Sequence, residues 1–96
     1  MEIATKSQLV EKEDIVSLHF PKDPLPRTKD EKKVLMMKLQ KAQTLGNVHH
    51  NKIKIHFQDD QGPKVVNTTV WALGTDYVVL KKGIFVPINR IIDVEV

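Results

Sequence analysis

Ile53-Lys54-Ile55-His56-Phe57-Gln58 alternates apolar and polar residues without a break. A period of two is the pattern of a strand with one face buried and one in water. Ile53, Ile55 and Phe57 are therefore expected to line a core, with Lys52, Lys54, His56 and Gln58 pointing away from it. The sequence after this stretch repeats the pattern between turn residues. Asp59-Asp60-Gln61-Gly62 has the composition of a hairpin turn. Residues 64–73 return as a long strand rich in β-branched residues and containing Trp71, and a run of that length is expected to bend. Gly74-Thr75-Asp76 turns the chain into a strand over 77–80, and Lys81-Lys82-Gly83 turns it again. Residues 84–88 follow, with Pro87 marking an edge or a strand end. Ile92, Val94 and Val96 alternate with Asp93 and Glu95 in a fifth strand.

Upstream the period changes. Thr28-Lys29-Asp30-Glu31 is a capping box, in which the threonine oxygen accepts from an orphan N–H and the glutamate reaches back to the cap. It predicts a helix over 28–46, ended by Gly46 as a left-handed residue. Val34, Leu35, Leu39, Ala42 and Leu45 share one arc of that helix, opposite Lys29, Lys33 and Lys41. Glu31 and Lys38 interrupt the arc, and Met36 and Met37 fall outside it, so the helix should rest on the domain without being enclosed. Pro21, Pro24 and Pro26 make the preceding segment an extended connector. Residues 7–20 fit neither period: a short helix starting near Ser7 and a strand over 15–20 both remain open.

With 96 residues, the chain has room for one domain: an N-terminal extension with a proline-rich connector (1–27), the helix (28–46) and the strands (51–96). Hydrophobic residues at 41% and charged residues at 28% are near the globular average, which excludes wholesale disorder. The absence of cysteine excludes disulfide frameworks, thiolate zinc sites and cysteine nucleophiles. Met1-Glu2-Ile3-Ala4 lacks a basic-then-apolar leader pattern and no apolar run approaches bilayer length, so a cytoplasmic protein without membrane contact is expected. Net charge is +3, a mild bias toward acidic partners. Five antiparallel strands in so short a stretch would leave a flat sheet with open edges, and bending the long second strand would bury one face. The expected fold is α+β, mainly β: a small, strongly bent, five-stranded antiparallel barrel preceded by an α-helix that plugs or lids it.

Val65-Val66-Asn67-Thr68-Thr69-Val70, Asp76-Tyr77-Val78-Val79-Leu80-Lys81, residues 84–88 and Ile91-Ile92-Asp93-Val94, with the short link Pro87-Ile88-Asn89-Arg90, resemble the SH3/Sm-like small barrels and the related Rho-binding antitermination inhibitors. The resemblance implies an association with RNA or transcription, although the link does not reproduce the tyrosine-lysine-histidine triplet of the bacterial Sm branch. Thr69-Val70-Trp71-Ala72 with Phe85-Val86-Pro87-Ile88-Asn89 is also similar to small conserved proteins of the Bacteroidetes, a resemblance that implies no chemistry.

Candidate chemistry is sparse. His49, His50 and His56, with Asp59 or Asp60, form the nearest thing to a metal set, but their spacing matches no known ligand pattern and a solvated helix-to-strand loop accounts for them. Asp59 and Asp60 fall in a turn, where a carboxylate commonly bonds nearby backbone. Ser7 and Ser17, the only serines, lie in no nucleophile motif, and Gly46, Gly62, Gly74 and Gly83 are isolated. The expectation is a non-enzymatic binding module with no cofactor. Lys52, Lys54, Lys81, Lys82 and Arg90 are candidate phosphate contacts, with Trp71 and Tyr77 as stacking platforms for RNA or another single strand. Lysines on outward strand positions and a core tryptophan account for the same residues without a ligand. The alternative is a protein-interaction or self-assembly module, a homo-oligomer included, using the edge strand near Pro87, the last strand, or the helix face around Met36 and Met37.

Overall fold

The computed structural model describes residues 7–96. Residues 1–6, among them the Met1–Ala4 stretch read for a leader and Thr5 beside the proposed early helix start, lie outside the described residues. The chain forms β1 (Gln8–Val10), a 3-10 turn (Lys12–Ser17), α1 (Lys29–His49), β2 (Ile53–Asp59), β3 (Gly62–Thr68), β4 (Val70–Leu73), β5 (Tyr77–Leu80), β6 (Ile84–Pro87) and β7 (Ile91–Glu95). Two further 3-10 turns, Lys81–Gly83 and Ile88–Arg90, flank β6.

The strands form two sheets, a four-stranded one in the order β1-β3-β2-β7 and a three-stranded one in the order β4-β5-β6. Among the described residues no sheet closes, which corrects the five-stranded barrel expected from the sequence. The domain is α+β, with one helix on two open sheets. Closure would need β6 to ladder with β7. The chain instead passes between them through the Ile88–Arg90 turn, and the Lys12–Ser17 turn packs along β6. The expected bend of the long strand is present as a break at Thr69, which places β3 in one sheet and β4 in the other. That break and the pre-helix strand β1, parallel to β3, raise the strand count from five to seven. Residues 7–20, open in the sequence, hold β1 and the first 3-10 turn.

The core lies between the sheets and under α1. Ile53, Ile55 and Phe57 of β2 face it as the alternation predicted, joined by Val66, Val70, Val78, Leu80, Val86 and Val94. On β7 the predicted face of Ile92, Val94 and Val96 is shifted. The register slips between His56 and Phe57, so Phe57 pairs with Ile91 and leaves Ile92 as the extra residue of a bulge. Ile91 is therefore buried, while Ile92 is only partly covered and Val96 is exposed.

The capping box forms as predicted: Glu31 N donates to Thr28 Oγ1 and Thr28 N to Glu31 Oε1. The helix does not end at Gly46. It continues to His49, and His50 takes the left-handed cap position at φ 56°. Gly46 is needed where it stands, because a Cβ there would lie 2.1 Å from the Val70 carbonyl oxygen. The buried face of α1 is Leu35, Leu39, Ala42 and Gly46, whereas Val34, assigned to that face from the sequence, is exposed.

Residues 18–28 are irregular, as the prolines predicted, and are strapped to the far end of the chain. Leu25 N donates to Asn89 O, Arg27 Nη2 to Ile91 O, and Asn89 Nδ2 to Lys22 O. Phe20 packs on Phe57 with ring centroids 5.7 Å apart. Among the described residues no helix is long and apolar enough to cross a membrane.

Candidate functional site

The second sheet carries a feature the core does not account for. Val78, Leu80 and Val86 face inward, so the intervening positions of β5 and β6, Tyr77, Val79, Phe85 and Pro87, face out. The register pairs Tyr77 with Pro87 and Val79 with both Phe85 and Ala72. A bulge on β4 between Val70 and Ala72 leaves Trp71 unpaired and turned outward beside Ala72. Trp71, Tyr77 and Phe85 are 47%, 47% and 56% exposed. These are three of the chain's five aromatic residues on one outer face. Tyr77 and Phe85 meet edge to face, with centroids 5.9 Å apart and planes at 66°. From β4 across β5 to β6 the face is about 10 Å wide, two strand spacings.

Lys81 and Lys82 sit in the turn at one end of this face, both exposed. The turn is held by Lys81 N, which donates to Thr69 O, and by left-handed backbone at Lys82 (φ 69°) and Gly83 (φ 76°). The Lys12–Ser17 turn runs beside it. Glu13 there titrates below the usual carboxylate range because of a hydrogen bond from its own backbone and the ammonium of Lys12, to which Lys82 adds its charge. At the opposite end of the face, Tyr77 and Pro87 form one wall of a groove of about 590 Å³. The connector residues Pro24, Pro26 and Arg27 form the other wall, with Lys32 of α1 and Asp76 also lining it. Burial lowers the Arg27 guanidinium from its ordinary value, partly offset by Glu31.

Of the residues singled out from the sequence, the structure thus gathers Trp71, Tyr77, Lys81 and Lys82 on one sheet. It does not bring the others to them. Lys54 is exposed on the outer face of the first sheet, opposite Asn67 and Glu95, and Lys52 lies in the loop before β2. Arg90 is 6% exposed, and its Nε and Nη1 donate to Gln58 O and Asp23 O at 3.0 and 2.5 Å. It is a structural staple turned away from any phosphate. Phe85 was missed in the sequence, although the alternation that buries Val86 and Ile88 puts Phe85 outside.

The histidines do not converge. His49 and His50 end α1 in solvent, while His56 lies nearly covered on the outer face of β2, with Nε2 2.5 Å from Glu95 Oε2 and Nδ1 3.5 Å from Ser7 Oγ. Among the described residues no group of three or more His, Asp or Glu side chains gathers as a metal site. Asp59 does the turn's structural work. Its Oδ1 accepts from the backbone N–H groups of Gln61 and Gly62 and from buried Lys64 Nζ at 3.0 Å. Burial opposes ionisation of Asp59, but Lys64 and the two amides win and hold its carboxyl below the usual range. At Asp93, burial is likewise outweighed, here chiefly by Lys38 Nζ at 2.9 Å.

Compared with protein families, with curated proteins and with solved structures, the chain matches none.

Proposed function

We propose that this protein is a non-enzymatic binding module whose ligand is a single-stranded nucleic acid, held on the outer face of β4, β5 and β6. The observation that carries this reading is the exposed set Trp71, Tyr77 and Phe85 on one sheet face, with Lys81 and Lys82 at its end. Every base has a π-face, so exposed aromatic rings bind successive bases with little sequence preference, each stacked base contributing about 1–3 kcal/mol. Lysines at the rim supply the phosphate contacts that stacking lacks. An aromatic face left in water on so small a domain is otherwise a cost, since it invites association.

Fluorescence anisotropy with a labelled octanucleotide tests the reading. Trp71→Ala and Phe85→Ala should each weaken binding roughly 5- to 150-fold, the loss of one stacked base. Two phosphate contacts give a salt slope near −1.4, or about a sevenfold loss of affinity between 50 and 200 mM salt. No binding by the unaltered protein, or variants that bind as well as it does, refutes the proposal.

A second reading, contact with a protein partner, is favoured by α1. Exposed Val34, Met37 and Val48 fall within roughly 60° of one another at about 100° per residue, away from the buried face. Saturable association through a Val34→Lys-sensitive and Met37→Lys-sensitive surface, with no oligonucleotide binding, would put this reading first.

A further inference from the structure

Resting on the nucleic-acid reading, we infer that the groove beside Tyr77 takes one base and selects guanine, with Asp76 as the residue that reads it. The groove continues the aromatic face past the Tyr77 ring, so a base following those stacked on Trp71, Phe85 and Tyr77 enters it. Its walls, Pro24, Pro26 and Pro87, are flat and apolar, suited to the faces of a planar ring. Its ionic groups are of both signs, with Asp76 the one carboxylate and Arg27 and Lys32 the two cations among its described lining residues.

That combination distinguishes the bases. A carboxylate is an acceptor with two oxygens, and only guanine presents two adjacent donors, N1–H and the N2 amino group, on its pairing edge. Guanine also carries acceptors at O6 and N7, the partners that arginine and lysine select. Adenine and cytosine offer one amino group beside an acceptor, and uracil and thymine a single N–H between two carbonyls, so each would set an acceptor against the Asp76 carboxylate. Reading that edge requires an unpaired base, in keeping with a single-stranded ligand.

Asp76 is placed by its backbone and not by its side chain. Its carbonyl accepts from Ile88 N at 2.9 Å and Gly74 N, two residues before it, donates to Tyr77 O at 2.8 Å, while Asp76 remains exposed at the groove. Substituting the side chain therefore leaves the turn intact. The connector wall is held just as firmly, by Leu25 N on Asn89 O and by Arg27 on Ile91 O.

The experiment compares full-length protein binding to an all-uridine octamer, the same octamer with one central guanosine, and one with inosine in its place. The guanosine octamer should bind about tenfold tighter than the uridine octamer, within the range of one good bidentate contact. Inosine, which lacks the N2 amino group, should lose most of that gain. Asp76→Asn, which replaces one acceptor oxygen by a donor, should abolish the guanosine preference and, by removing the carboxylate that opposes the uracil carbonyls, leave uridine binding no weaker, with an unaltered melting temperature confirming the fold. Equal affinity for the guanosine and uridine octamers, or a preference that survives Asp76→Asn, overturns the guanine inference while the stacking face stands. Failure of the unaltered protein to bind any octamer overturns both.

Discussion

Replacing Gly46 by alanine sets helix propensity against tertiary packing, and the structure decides the sign. In an exposed helix interior the change stabilises by about 1 kcal/mol, because glycine is the poorer helix former. At position 46 the new Cβ would stand 2.1 Å from the Val70 carbonyl oxygen and 3.0 Å from Thr69 Cγ2. The first neighbour is backbone and cannot rotate away, so α1 must move by more than 1 Å from β4 or the strand must bend. Forcing an extra carbon into a packed contact costs about 1–3 kcal/mol, with more where no side chain can yield. After the propensity gain is subtracted from the upper part of that range, Gly46→Ala should be less stable by about 2 kcal/mol. For a domain of this size that lowers the melting temperature by roughly 8–16 °C. Thermal and urea unfolding followed by circular dichroism measure it. Asn47→Ala, one residue along on the exposed side of the same helix, is the control and should gain about 0.5 kcal/mol. A Gly46→Ala protein as stable as the control, or more so, refutes the close docking of α1 on β4.

Arg90→Lys removes the hydrogen bonds to Gln58 O and Asp23 O that one ammonium cannot span. It should cost about 2–3 kcal/mol in urea unfolding, while the salt slope of oligonucleotide binding stays the same. Acid unfolding reports on Asp59, whose folded-state pKa is lowered. Its contribution to stability is complete above the unfolded value, about 3.9, and is lost as pH falls through the lower folded value. Urea midpoints measured from pH 6 down to pH 2 should drop in the unaltered protein, and Asp59→Asn should be weaker at pH 6 with a shallower fall below pH 4.

The parts of the fold that were legible are those in which local pattern and tertiary packing agree. Ile53, Ile55 and Phe57 face the core because a strand alternates, and Thr28 with Glu31 starts α1 because the capping box is complete within four residues. The errors arise where a distant contact overrides a local rule. Gly46 reads as a helix end, yet it lies inside α1 because Val70 approaches it, and His50 adopts the left-handed cap instead. Ile92 loses its core position to Ile91 through a bulge set by pairing with β2. The barrel fails on the path between β6 and β7, which no periodicity encodes. Within the candidate site, Trp71 and Tyr77 were visible as residues but not as exposed ones. Arg90 looked like a free cation because its acceptors lie 32 and 67 positions away.

Those remote acceptors bear on how the groove comes into being. Arg27 to Ile91 and Arg90 to Asp23 span 64 and 67 residues, and Leu25 to Asn89 lies between them. The connector is already tethered at both ends, by the Lys12–Ser17 turn on β6 and by α1 against β7, so these bonds close only the short loop of residues 18–28 and not the whole separation in sequence. A short loop costs little to close, and each bond made brings the ends of the next nearer. The three bonds therefore reinforce one another, and loosening any one of them weakens the wall against which a ligand would press.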